Sequence, residues 1–159
     1  MNRRPMPAYV LAFMIGVITG LRSMTAPAAV SWAARLGWIH LENTPLAFFE
    51  FAPTPYIFTL CAVGELITDK LPKTPSRKAA GPFAARVVVG ALCGAALGAA
   101  HGELTMGLVA GAVGGVAGTI GGYEFRRRLV HATGGRDLPI ALLEDAIAIC
   151  AALWVVSRG

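Results

Sequence analysis

The 159-residue chain is 55% hydrophobic and 14% charged, against roughly 25% charged in an ordinary soluble domain. With 19 glycines and a mean hydropathy of +0.61, this excludes a disordered tail, a disulfide scaffold and a typical cytosolic enzyme. The formal charge of +5 and pI near 9.6 do not point to nucleic acid, because the basic residues cluster beside apolar stretches, where membrane orientation explains them.

The composition predicts an all-α, polytopic membrane bundle in a single transmembrane domain over residues 1–159, with about five crossings, each needing about 20 apolar residues. The first element, 8–22, is short for a span, and its apolar character resumes after Arg22-Ser23-Met24-Thr25-Ala26-Pro27. Read as one helix, residues 8–38 would exceed the roughly 30 Å hydrocarbon core by about half. Pro27 is the expected break, with Thr25 or Ala26 at the N-cap, Pro27 at the first helical position and a re-entrant or interfacial half-helix over 27–38. Residues 2–28 imitate a secretion signal, but Arg22 and two prolines interrupt the approach to the small residues Ala26 and Ala28, so retention is expected.

The second crossing is read at 56–71, where Pro72 and Pro75 stop it. A tightly joined pair follows at 83–102 and 103–125. The last is read at 138–156, with Asp137 as cap and Pro139 in the first turn. With five crossings, Arg3, Arg4, Lys70, Lys73, Arg77, Lys78, Arg86, Arg126, Arg127, Arg128 and Arg136 share one side, which places the N-terminus in the cytoplasm of a cell with an inner membrane.

Gly90, Gly94 and Gly98 repeat every four residues, as do Gly111 and Gly115, with Gly118 and Gly122 in a parallel register. Small residues on one stripe let helix backbones approach where lipid gives no hydrophobic drive. The stripes suit packing of the central helices against each other, with a homo-oligomer seam as the alternative. Cys61, Cys93 and Cys150 lie alone in apolar segments, so neither a disulfide framework nor a metal site is expected, and no cofactor fingerprint is present.

Ionisable groups within spans need a partner or a wet cavity. Arg22, Glu65, Asp69, Lys70, Glu144 and Asp145 are the candidates. Asp69 and Glu124 adjoin basic clusters and read as interfacial. Glu65 and Glu144 require a partner from another helix, and Arg22 is the obvious one; carboxylates competing for one arginine would leave an acid suited to carrying a proton. Arg22, Ser23, Thr25 and the free N–H groups of the half-helix also form an expected anion site. A weak echo between Gly16–Arg22 and Gly115–Arg126 suggests two inverted halves.

Gly20-Leu21-Arg22-Ser23-Met24-Thr25, Gly64-Glu65 through Asp69-Lys70-Leu71-Pro72-Lys73-Thr74-Pro75-Ser76-Arg77, Gly121-Gly122-Tyr123 and Glu144-Asp145 together resemble the bacterial membrane proteins of domain-of-unknown-function family 4126, over nearly the whole chain. The resemblance implies a small inner-membrane protein and no particular activity. The leading expectation is a transporter or permeation protein whose Glu65, Glu144 and Asp145 take a cation or proton while Arg22 and the half-helix take an anionic group. The first alternative is a module that binds lipid or a partner, with anionic headgroups at Lys73, Arg77 and Lys78. The second is a membrane enzyme acting on lipid headgroups, for which no nucleophile–base pair or metal cluster is visible.

Overall fold

The computed structural model describes residues 5–71 and 79–159; Arg3, Arg4, Lys73, Arg77 and Lys78 lie outside them, as do Pro72 and Pro75. Every regular element among the described residues is helical, with no strand: α1 (Ala8–Leu21), α2 (Thr25–Arg35), a 3-10 turn (Ala47–Glu50), α3 (Thr54–Thr68), α4 (Ala80–Ala100), α5 (Leu104–Ala132) and α6 (Asp137–Val156). Among them α4, α5 and α6 are long and apolar enough to cross a membrane, and α1 and α3 are shorter apolar helices. Large apolar side chains such as Leu60, Ile67, Val113 and Leu142 face outward, as in a bundle whose solvent is hydrocarbon.

Glycine contacts fix the directions of the central helices. A Cβ at Gly94 would strike the Gly107 carbonyl and one at Gly111 the Gly90 carbonyl, so α4 and α5 are antiparallel with backbones in contact. A Cβ at Gly114 would strike the Phe13 carbonyl and one at Gly118 the Val17 carbonyl, so α1 lies on α5 and parallel to it. The echo segments Gly16–Arg22 and Gly115–Arg126 therefore run side by side in one direction, which overturns the inverted-halves reading. In each, a buried threonine returns its hydroxyl to the carbonyl four residues back, Thr19 to Ile15 and Thr119 to Gly115, both at 2.8 Å, so neither leaves an unmet polar group in the seam.

The chain breaks earlier than Pro27. Helix α1 ends at Leu21, Arg22 is extended, and α2 starts at Thr25 with Met24 at its cap, so Pro27 is the third helical residue. Proline is tolerated there because the first-turn N–H groups have no helical acceptor. Helix α2 then runs back: Met24 lies beside Glu65 and Trp32 beside Thr59, while Ile39 reaches Leu97 and Gly159 at the other end of the bundle. Helices α1 and α2 thus form a hairpin with its tip at Arg22–Met24. Helix α2 ends at Arg35, short of Trp38, because Gly37 takes a left-handed φ of 76° and its N–H and that of Trp38 donate back to Ala34 and Ala33.

The other boundaries shift less. Helix α3 begins before 56 and stops at Thr68; α4 starts at Ala80 instead of 83. Helix α5 continues past 125 to Ala132, since arginines 126–128 are good helix formers and their charge does not stop a helix. Asp137 is the first residue of α6 and not its cap. Tyr9, Tyr56 and Trp154 are exposed at the end of the bundle that also holds the α4–α5 turn and Gly159.

Candidate functional site: an ion-pair cluster at the hairpin tip

Arg22 is fully buried at the hairpin tip, where an extended residue between two helices points its side chain into the bundle. Its guanidinium pairs with Asp69 just beyond α3 and Asp145 in α6, and its Nη2 lies 3.9 Å from Glu144. Lys70 donates to Asp145 at 2.7 Å and to the Leu66 carbonyl at 2.8 Å. Arg126 reaches from α5 to Glu144 at 3.5 Å and grips Asp137 through two bonds of 2.9 and 2.8 Å.

Glu65 is held differently. Its Oε1 accepts from the Ser23 N–H at 2.8 Å and the Ser23 hydroxyl at 2.7 Å, its Oε2 from the Met24 N–H at 2.8 Å, and Arg86 Nη2 stands 3.5 Å from Oε1. The anion expected at the start of the half-helix is thus a carboxylate of the chain itself. A negative group at a helix N-terminus satisfies donors that no backbone carbonyl can reach, so Glu65 fixes where α2 begins. Thr25 does not join this cradle; it is the first residue of α2 and lines an adjoining groove.

Partner contacts offset the cost of burying most of these charges. Arg22, Lys70, Arg86 and Arg126 meet Glu65, Asp69, Asp137, Glu144 and Asp145, so each carboxylate among these has a cation or N–H donor beside it. Asp69 is therefore not the solvated interfacial residue expected; its side chain is 14% exposed and bound to Arg22. Glu124 is 32% exposed and paired with Arg127 at 3.0 Å. Glu65 and Glu144 do find partners on other helices, but Arg22 gives its short contacts to the two aspartates.

Sequence reasoning missed three members. Arg86 and Arg126 were counted as orientation charges and Asp137 as a cap. The available signal was position: Arg86 falls inside the apolar stretch 83–102, where a buried arginine needs a carboxylate. Among the described residues, no group of three or more His, Cys, Asp and Glu side chains is arranged to hold a metal ion.

The glycines predicted for packing meet backbone inside the chain: Gly90, Gly94 and Gly98 of α4 against α5, and Gly111, Gly115 and Gly118 of α5 against α1 and α4. Gly122, further along α5, is buried.

No curated protein and no solved structure matches the chain. A family model described as "Domain of unknown function (DUF4126)" matches residues 9–157, which takes in the hairpin tip and the whole ion-pair cluster, and the chain belongs to that family.

Proposed function

We propose that the protein is a small transport or permeation protein of the cytoplasmic membrane, in which a cation or proton competes with Arg22 and Lys70 for the carboxylates of Asp69 and Asp145, and with Arg86 for that of Glu65. The observation that carries this reading is the cluster's position. About 20 Å of helix separates Tyr9 from Arg22 and Tyr56 from Asp69; with the exposed Tyr9, Tyr56 and Trp154 taken as one membrane face, the ion pairs fall within a core of roughly 30 Å in this reading. Charges kept at that depth are costly and mark ion pathways or relays.

The competition has a mechanical outlet. Helix α3 packs chiefly on α2 and the 3-10 turn, and its C-terminal end is fastened to the bundle by Glu65, Asp69 and Lys70. Neutralising or occupying these carboxylates frees that end of α3 while its other end stays anchored. The anionic ligand expected at the half-helix has no vacant cradle while Glu65 fills it, which favours a cationic cargo. The end that holds Lys70, Arg86, Arg126 and the 133–136 connection faces the cytoplasm in this reading, and the start of α1 and the end of α6 face away from it.

The test is cation or proton flux in vesicles reconstituted with wild type, Glu65→Gln and Asp145→Asn. Loss of flux in both variants, with folding verified by unchanged helix content, supports the reading; wild-type flux in both overturns it.

A further inference from the structure

The connection from α2 to α3, residues 36–53, lies at the end of the bundle that holds the α4–α5 turn and Gly159. It carries two layers of large apolar side chains. Ile39, Leu41, Leu46 and Phe49 are buried against the bundle, while Leu36, Trp38, Phe48 and Phe51 are exposed at 58%, 48%, 37% and 62%. The outer layer is held by the inner one: the Phe48 ring stacks on Phe49 at 4.4 Å, and Phe49 packs on Phe58 of α3 at 5.8 Å. The exposed polar residues His40, Glu42 and Asn43 fall together between the two aromatic stretches.

The backbone of the connection is satisfied largely from within. The N–H groups of Trp38 and Ile39 donate to the Ala33 carbonyl, and those of Ala47, Phe49 and Phe51 to the carbonyls three residues back. The Leu41 N–H donates to the Glu50 carboxylate at 2.6 Å, so the acid within the aromatic run Phe48–Phe51 is half-buried and turned inward. A connection bathed in water can leave such donors to solvent, whereas a water-poor layer requires their pairing inside the chain. Paired backbone, apolar rim and segregated polar tip together describe a segment at the boundary between lipid and water.

We propose that the 36–53 connection is a membrane anchor lying in the headgroup layer of one leaflet, with Leu36, Trp38, Phe48 and Phe51 among the lipids and the His40–Asn43 tip in water. Aromatic side chains suit this layer because a flat apolar body fits the top of the acyl chains while a polar edge stays wet. The anchor has a consequence for the ion-pair cluster. Arg35 to Met24 along α2 and Thr54 to Glu65 along α3 are each about 16 Å of helix, so both partners of the Met24–Glu65 bond hang at the same depth from this connection. The inference does not depend on the transport reading; absence of flux would leave it standing.

The experiment is fluorescence of Trp38 as the sole tryptophan, in a Trp32→Phe, Trp154→Phe protein of unchanged helix content, reconstituted in phosphatidylcholine vesicles. Emission is expected to be shifted to the blue of free tryptophan, quenched most by lipids brominated near the headgroup end of the acyl chain, and scarcely quenched by aqueous iodide. Iodide quenching as strong as that of free tryptophan overturns the anchor and puts the connection in water. Strongest quenching from bromines at the chain terminus overturns the headgroup placement, and blue-shifted emission that neither quencher reaches assigns the cover to protein, a second copy of the chain, in place of lipid. Spin labels at Leu36→Cys and Glu42→Cys, with Cys61, Cys93 and Cys150 replaced by alanine and the tryptophans intact, give a second reading. The first is expected to be relaxed chiefly by dissolved oxygen and the second by a water-soluble nickel chelate; equal relaxation of both by the chelate overturns the sorting of the connection between lipid and water.

Discussion

At the residue scale the protein turns on Arg22, which is fully buried and forks between Asp69 and Asp145. Removing one member of a buried ion pair costs more than the pair contributes, because the partner charge is left without compensation. Arg22→Met is therefore expected to destabilise the protein by about 3–5 kcal/mol, read as a lowered midpoint in detergent unfolding. Arg22→Lys keeps the charge but not the planar fork, and should fall between the two. Ser23→Ala leaves both backbone donors on Glu65 and deletes only the 2.7 Å hydroxyl bond; a bond to a charged acceptor predicts a loss of about 1.5–3 kcal/mol. A Ser23→Ala midpoint equal to wild type would show that the cradle does not depend on the hydroxyl. Arg22, Glu65, Asp69, Lys70, Glu144 and Asp145 were legible in sequence because charge inside an apolar run is conspicuous. Their pairing was not, since it depends on which helix faces which, and Glu65 found backbone donors that appear in no side-chain inventory.

At the element scale, α1, α4 and α5 are held by backbone approach at glycines, and this makes a sharp contrast available within one helix. A methyl group at Gly118 meets the backbone of Val17, which cannot move aside without shifting α1, whereas Gly121, three residues on, has open space around its Cβ position. Gly118→Ala is expected to cost about 1–3 kcal/mol as overpacking, and Gly121→Ala to be neutral or to gain up to about 1 kcal/mol from helix propensity. Parallel unfolding curves check both; equal effects would mean that the α1–α5 contact is not the tight one. The glycine spacing announced a close pair of helices, but not that α1 would be the third. Helix ends were legible where glycine sets them and less so elsewhere. Gly102 repeats the Gly37 device, with a φ of 76° and the Gly102 and Glu103 N–H groups donating back to Ala99 and Gly98, so the α4–α5 turn fell where the sequence placed it. The α5 terminus slipped because charge was taken as a stop signal.

At the scale of the whole molecule, the hairpin changes the parity of the fold. A single crossing by residues 8–38 gives an odd number of spans and puts the two chain ends on opposite sides. A hairpin whose tip stops at the ion-pair cluster leaves α3, α4, α5 and α6 to connect the two ends of the bundle, and brings the start of α1 and the end of α6 to the same end. The basic residues that suggested eleven charges on one side are then divided. Arg126, Arg127, Arg128 and Arg136 stay at the end with the α5–α6 connection, while Arg3 and Arg4 precede a helix that starts at the other. Sequence counting does not distinguish the two arrangements, because a helix pair that enters and returns has the same composition as one helix that crosses. Single cysteines in a background with Cys61, Cys93 and Cys150 replaced by alanine can read the parity directly. Pro5→Cys and Ser157→Cys, both at exposed positions, are expected to react with a membrane-impermeant thiol reagent from the same side of intact cells, and Arg136→Cys only after permeabilisation. Pro5→Cys reacting together with Arg136→Cys, and Ser157→Cys from the opposite side, would restore the odd count and remove the hairpin. The assigned outcome would instead place the ion-pair cluster and the C-terminal end of α3 nearer the cytoplasmic surface than the outer one, because about 20 Å of α1 lies between Tyr9 and Arg22 in a core of roughly 30 Å.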